Sequence, residues 1–281
     1  MAEIRIAGGD NIVMVDMECG ANLDYAQDQT VPYEHDMWDN LHPNEAGYIK
    51  MAELWFAHLI QILPSPCPAG MASYWKLDET VTPSEYEDIV ADNPGVMPDG
   101  LTFPTPTTDG RVNGAQIFDG TTNGIDVAGD DYNWDQTDSI TIEFWMRRDS
   151  GPIGGGGTSN NEVIVGRDDT SLHWWFGIWN DGRARFQLGD ADHNYEGLYG
   201  PVVDDGSWHH LVGVRNGLTN TNHLYVDGEL AGSESPAYTT GFGSDSAALN
   251  IGWLNLSPYY HFEGTLDEVA IYDRALTPTE I

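Results

Sequence analysis

Two periodicities divide the chain. In Ser139-Ile-Thr-Ile-Glu-Phe-Trp-Met-Arg147, the apolar Ile140, Ile142, Phe144 and Met146 alternate with Thr141, Glu143, Trp145 and Arg147. Successive side chains of a strand point to opposite faces, so this segment predicts a strand with one face in a core. Gly177-Ile-Trp179 and Arg185-Phe-Gln-Leu188 flank Asn180-Asp181-Gly182, a tight-hairpin signal. Asp227-Gly228, after the apolar His223–Val226, is another. Further strands are expected over Trp208–Val214, Ala248–Trp253 and Thr265–Tyr272. Many strands with turn signals at short spacing predict an antiparallel β-sandwich.

The first 63 residues follow a different pattern. Asn11-Ile-Val-Met-Val15 reads as a buried strand, and residues 17–44 as a polar loop. Ile49, Ala52, Leu54, Trp55, Phe56, Leu59 and Ile62 then recur at roughly helical spacing, with Asn44 placed to cap a helix from Glu45. Pro64-Ser-Pro-Cys-Pro68 ends it. One strand, a loop and one helix bury too little surface to fold alone. The expected organisation is an N-terminal α/β fragment over residues 1–63, a proline-rich linker over 64–71, and a mainly β domain over 72–281.

Charge narrows the partners. The 281 residues carry 45 acidic and 11 basic side chains, a formal net charge of −34. Such a surface repels nucleic acid and anionic membrane, and suits an extracellular protein or one that binds divalent cations. No run of about 18 apolar residues is present, so no membrane insertion is expected. Met-Ala-Glu-Ile-Arg has no signal-peptide pattern, so an extracellular location implies a leader outside this chain. Cys19 and Cys67 are too few for a disulfide scaffold; one bridge and two free thiols are both open.

An ordered series of motifs carries a family resemblance over residues 72–281. It runs through Ala72-Ser-Tyr-Trp-Lys-Leu-Asp-Glu79, Gly114-Ala-Gln-Ile-Phe-Asp-Gly120 with Ile125-Asp-Val127, and the strand at 139–147. Trp208-His-His-Leu-Val212 and Leu224-Tyr-Val-Asp-Gly228 continue it, and it closes with Gly264-Thr-Leu-Asp-Glu-Val-Ala-Ile-Tyr-Asp-Arg-Ala-Leu276. The series resembles the laminin-G-like, concanavalin-type domains, which implies a jelly-roll sandwich. That family often carries a calcium ion near the joint of its first and last strands, held by hard oxygen ligands. The matching positions are Asp88, Asp92, Asn93, Asp119 and Asp267. An acid that opens a mostly apolar strand, as Asp267 does, is costly without a partner.

The resemblance also implies glycan binding through aromatic rings. Trp174, Phe176 and Ile178 share one face of a strand, and Trp175 and Trp179 the other. One of these faces must be core, so Trp175 and Trp179 are candidates for ligand contact. His193 with Tyr195, and Tyr259 with Tyr260, sit in expected loops and join them.

Asp39-Asn-Leu-His-Pro-Asn-Glu-Ala-Gly-Tyr48 resembles the final block of SGNH (GDSL-type) hydrolases, with Asp39 and His42 in the acid–histidine roles. An Asp held beside a His orients the ring and stabilises its charged form, and the His then deprotonates a nucleophile. No Gly-Asp-Ser or Gly-x-Ser-x-Gly is present, so hydrolysis by this chain alone is not expected. The reading that follows is a calcium-stabilised carbohydrate-binding or adhesive module from a secreted modular esterase, bound to a polysaccharide or glycan. Its rivals are a structural subunit that self-associates through residues 1–63, and an esterase completed by a missing upstream segment or another chain.

Overall fold

The computed structural model describes residues 43–62, 68–128, 132–153, 161–168, 173–243, 247–256 and 260–281. The chain divides into two units, Met1–Ala69 and Gly70–Ile281. In the first, helix α1 spans Glu45–Ile62, and Asn44 Oδ1 accepts a hydrogen bond from the Gly47 amide at 3.0 Å. This is the N-cap the sequence predicts, of a kind typically worth about 1 kcal/mol.

The second unit is a two-sheet sandwich. The larger sheet has the order β12 (Glu229–Glu234), β11 (Thr221–Val226), β10 (Trp208–Asn216), β5 (Ile140–Arg147), β14 (Glu263–Tyr272), β3 (Ala115–Asp119) and β2 (Thr105–Thr107). Its eighth strand, β1 (Met71–Trp75), pairs with β14. The six-stranded sheet has the order β4 (Ile125–Val127), β13 (Leu249–Ile251), β6 (Asn161–Asp168), β7 (His173–Trp179), β8 (Arg183–Gly189) and β9 (Tyr195–Val202). The pairings between these named strands are antiparallel.

The core lies between the sheets. Ile142, Phe144 and Met146 of β5 are fully buried against Trp174, Phe176 and Ile178 of β7, with the Phe144 and Phe176 ring centroids 4.7 Å apart. The alternation at 139–147 holds for the inward set. Of the polar set, Glu143, Trp145 and Arg147 are half-buried, whereas Thr141 is fully buried, its hydroxyl donating to the Arg274 carbonyl and accepting from the Leu276 amide. Asp227 and Gly228 both take positive φ (53° and 81°), as a two-residue type I′ hairpin requires.

Polar anchors fix the sandwich edges. Arg148 follows β5, and its Nε and Nη2 reach the two Glu162 carboxylate oxygens at 2.8 Å each, with both side chains buried. Asp190 is fully buried after β8 and accepts bonds from the amides of Asp192, Asn194, Thr239 and Thr240. Against desolvation, the Asn194 side-chain amide and the Thr239, Asn194 and Thr240 backbone amides hold its pKa below the usual carboxylate value.

Candidate functional site

The outer face of the six-stranded sheet carries an aromatic platform. Trp175 and Trp179 project outward from β7, on either side of Gly177. With no side chain at Gly177, the two indoles stack, their centroids 6.2 Å apart and their planes 15° from parallel. Gly177 is also sterically obligatory, since a Cβ there would lie 2.1 Å from the Glu162 carbonyl oxygen. Arg185 and Tyr199 occupy the same cross-strand row on β8 and β9. The Arg185 guanidinium carbon lies 4.1 Å from the Tyr199 ring centroid and 4.8 Å from that of Trp179. Its Nη2 donates to Gln187 Oε1 at 2.6 Å, while Nη1 is buried with no acceptor among the described residues. Burial pulls its pKa down.

The two tryptophans differ in access. Trp175 is only 2% exposed, because Leu254, Leu256 and Tyr260 fold over it from the loop after β13. Trp179 is half-buried and Tyr199 is 38% exposed. A small recess of about 30 Å³ opens beside Trp175, lined by Asn161, Val163, Trp175, Leu254 and Tyr260, and the buried Asn161 Oδ1 in it has no hydrogen-bond donor among the described residues. Tyr195 lies two rows along β9 from Tyr199 on the same face, 45% exposed, and its hydroxyl is 2.7 Å from His193 Nδ1. The structure thus brings Trp175, Trp179 and Tyr260 together and places His193 and Tyr195 at the far end of the face. Tyr259 lies outside the described residues. Arg185 and Tyr199 escaped the sequence reading. The available signal was the alternation Tyr195-x-Gly-x-Tyr199, which puts both tyrosines on one face.

A carboxylate cluster lies at the joint of β1 and β14. Ligand-type oxygens of Asp78, Asp267 and Glu268 all fall within 4.8 Å of one another. Asp267 is fully buried; its Oδ2 accepts from the Arg111 and Val112 amides at 2.8 and 2.9 Å. Its Oδ1 accepts nothing among the described residues. Asp78 accepts from the Gly114 amide and from Asn113 Nδ2, and the Tyr74 hydroxyl donates to Glu268. Desolvation, with a contribution from Asp78, pushes the Asp267 pKa up to about 6. Desolvation pushes that of Glu268 up to about 7. A register shift between Asp267 and Ala270, with Glu268 at φ 54°, turns two consecutive acids into one cluster.

The other expected metal ligands are elsewhere. Asp88 is buried, and its Oδ1 accepts from the Tyr74, Val90 and Ala91 amides. Asp119 closes its own turn. Against the desolvation of partial burial, the Thr122 hydroxyl and the Thr121, Thr122 and Asn123 amides hold its pKa down to about 2. Asp92 is exposed, and the Asn93 carbonyl accepts from the Trp75 indole. Asp39 and His42 lie outside the described residues, as do the strand expected at 11–15, Cys19 and Cys67.

Residues 119–281, more than half of the chain, match the concanavalin A-like lectin/glucanases superfamily. The chain belongs to that family. Among solved structures, the binding domain of Paraclostridial Mosquitocidal Protein 1 superposes with a TM-score of 0.58 at 17% identity, covering 75% of this chain and 50% of that one. Domain 4 of AbnA, an extracellular GH43 arabinanase from Geobacillus stearothermophilus solved with arabinotriose, gives 0.54 at 18%, covering 75% and 95%. The botulinum neurotoxin serotype D ligand-binding domain, solved with N-acetylneuraminic acid, gives 0.56 at 14%, covering 75% and 49%. At these identities the likeness is one of fold. In sequence, a non-toxic nonhemagglutinin of Paraclostridium bifermentans is 28% identical over 123 residues, 44% of this chain. The chain spans only a tenth of that relative's length and half of the first toxin domain's. Among the described residues, no helix is long and apolar enough to cross a membrane.

Proposed function

We propose that Gly70–Ile281 is an extracellular glycan-binding module that docks sugar on the Trp179–Tyr199 face. The observation that carries this reading is the partly exposed Trp179–Tyr199 pair on the outer face, with the Asn161 Oδ1 near Trp175 unpartnered among the described residues. The apolar face of a pyranose or furanose ring packs on an aromatic ring, and its hydroxyls satisfy buried polar atoms that a protein leaves unpaired. The ligands in the arabinanase-domain and neurotoxin structures support a carbohydrate partner. A glycan array probed with the chain tests it: binding to one saccharide class is expected, and a blank array contradicts it.

The carboxylate cluster fits a calcium ion. Hard oxygen donors converge there, and the buried, unpartnered Asp267 Oδ1 is a polar atom that a cation would satisfy. Asp78, Asp267 and Glu268 would hold the ion, whose charge would offset their mutual repulsion. Melting raised by calcium and lowered by EGTA is expected; indifference to both removes the ion from the account.

Helix α1 exposes Tyr48, Ile49 and Trp55, at 57%, 53% and 47%. This favours self-association through the N-terminal segment as a second role. A mass in light scattering that rises with concentration, and falls when residues 1–63 are removed, would support it. The SGNH-type resemblance adds a parent esterase in which Asp39 and His42 act with a serine supplied from elsewhere. Turnover of p-nitrophenyl acetate that disappears in His42→Ala would support that role, and absence of turnover would leave binding alone.

A further inference from the structure

The outer face of the eight-stranded sheet holds a second aromatic group, separate from the Trp179 platform. Trp145 and His210 are cross-strand partners on β5 and β10, stacked with centroids 5.0 Å apart and planes 20° from parallel. Trp208 and Arg147 are partners one row further, with the Arg147 guanidinium carbon 5.0 Å from the Trp208 centroid. Arg111 arrives from the loop between β2 and β3 and lies 4.4 Å over the Trp145 ring.

The charges in this group are committed unequally. Arg147 pairs with Asp109 at 2.9 Å, and His210 Nε2 is 3.3 Å from Glu143. Arg111 is exposed, and its guanidinium has neither an ion pair nor a hydrogen bond among the described residues. That is unexpected in a chain where acids outnumber bases 45 to 11. Its backbone, by contrast, is pinned. The Arg111 and Val112 amides bind Asp267, and the Gly114 amide binds Asp78. A rigid loop therefore presents an uncommitted fork of donors on an aromatic ring, which lowers the entropy lost when a ligand is bound.

We propose that this surface is a second binding site, in which Arg111, held over Trp145, takes the carboxylate of an acidic sugar while Trp208 supports the sugar ring. A planar guanidinium grips a carboxylate through two parallel hydrogen bonds. The net charge of −34 repels a dense polyanion, so the ligand is a glycan with isolated uronic-type residues.

The test titrates the full chain with a disaccharide ending in glucuronic acid, and with its methyl ester, following the tryptophan indole signals by NMR. The acid is expected to bind about tenfold tighter than the ester and to shift the Trp145 indole. Arg111→Gln keeps the backbone amide that holds the loop, so it should melt like the parent while losing the preference for the acid. Trp179→Ala should keep that preference. Equal binding of acid and ester, failure of the acid to bind, or an unchanged preference in Arg111→Gln would overturn the site. Loss of neutral-glycan binding in Trp179→Ala bears on the first platform alone.

Discussion

Replacing Asp267 by asparagine probes the electrostatics of the last strand. The side chain is fully buried, and desolvation with help from Asp78 raises its pKa from 3.8 to about 6. A carboxyl with a folded pKa above its unfolded value holds its proton more tightly when folded. Its stabilising contribution is complete below pH 4 and is lost as the pH rises through about 6. At pH 8 the buried charge then opposes folding by at most about 3 kcal/mol, at about 1.4 kcal/mol per pH unit. Asparagine matches the shape, keeps an oxygen for the Arg111 and Val112 amides, and turns an N–H toward the acids beside it. In a chelator at pH 8, Asp267→Asn should therefore melt higher than the parent. A gain of roughly 1–3 kcal/mol corresponds to about 3–9 °C for a domain of this size. The variant should also show a flatter dependence of melting on pH between 5 and 8, and a weaker response to calcium. Differential scanning fluorimetry across pH, with EGTA or calcium, reads all three. A variant that melts lower in EGTA at pH 8, or keeps the parental pH slope, would refute the reasoning.

Two further substitutions test the packing. Arg148→Met removes the charged partner of the buried Glu162 carboxylate and should cost about 3–5 kcal/mol in urea unfolding. A cost under 1 kcal/mol would show that water reaches the pair. Gly177→Ala drives a methyl into the Glu162 carbonyl at 2.1 Å. It should destabilise by more than about 2 kcal/mol and alter the near-ultraviolet signal of the stacked indoles, whereas a neutral result would contradict the close approach of β6 and β7.

What was legible in the sequence is what period-two patterning encodes. The alternation in Ile140–Arg147 separated core from surface except at Thr141, which Arg274 and Leu276 bury, and the division of Trp174, Phe176 and Ile178 from Trp175 and Trp179 held. Asn44 and the Asp227-Gly228 turn were legible because capping and positive φ have local chemical signatures. Features set by long-range register were not. Patterning puts Trp175 on the outer face, but the loop that covers it comes from nearly eighty residues later in Leu254. Asp267 was singled out as a costly buried acid, yet its neighbours Asp78 and Glu268 were missed. A strand alternates its side chains, and only the bulge at 267–270 lets two consecutive acids share a cluster. Arg185 and Tyr199 form their cage across strands, a pairing no local pattern reveals.

The central claim, that the Trp179–Tyr199 face binds glycan, is tested most directly by calorimetric titration of the parent and of Trp179→Ala. Arabinotriose and the best ligand from the array serve as probes. Trp179 is half-buried on the surface side of the sheet, so its removal should leave melting within a few degrees of the parent. Loss of an aromatic stacking partner worth roughly 1.5 kcal/mol or more predicts at least about a tenfold rise in Kd. An unchanged Kd in a folded Trp179→Ala would place the ligand elsewhere and contradict the account.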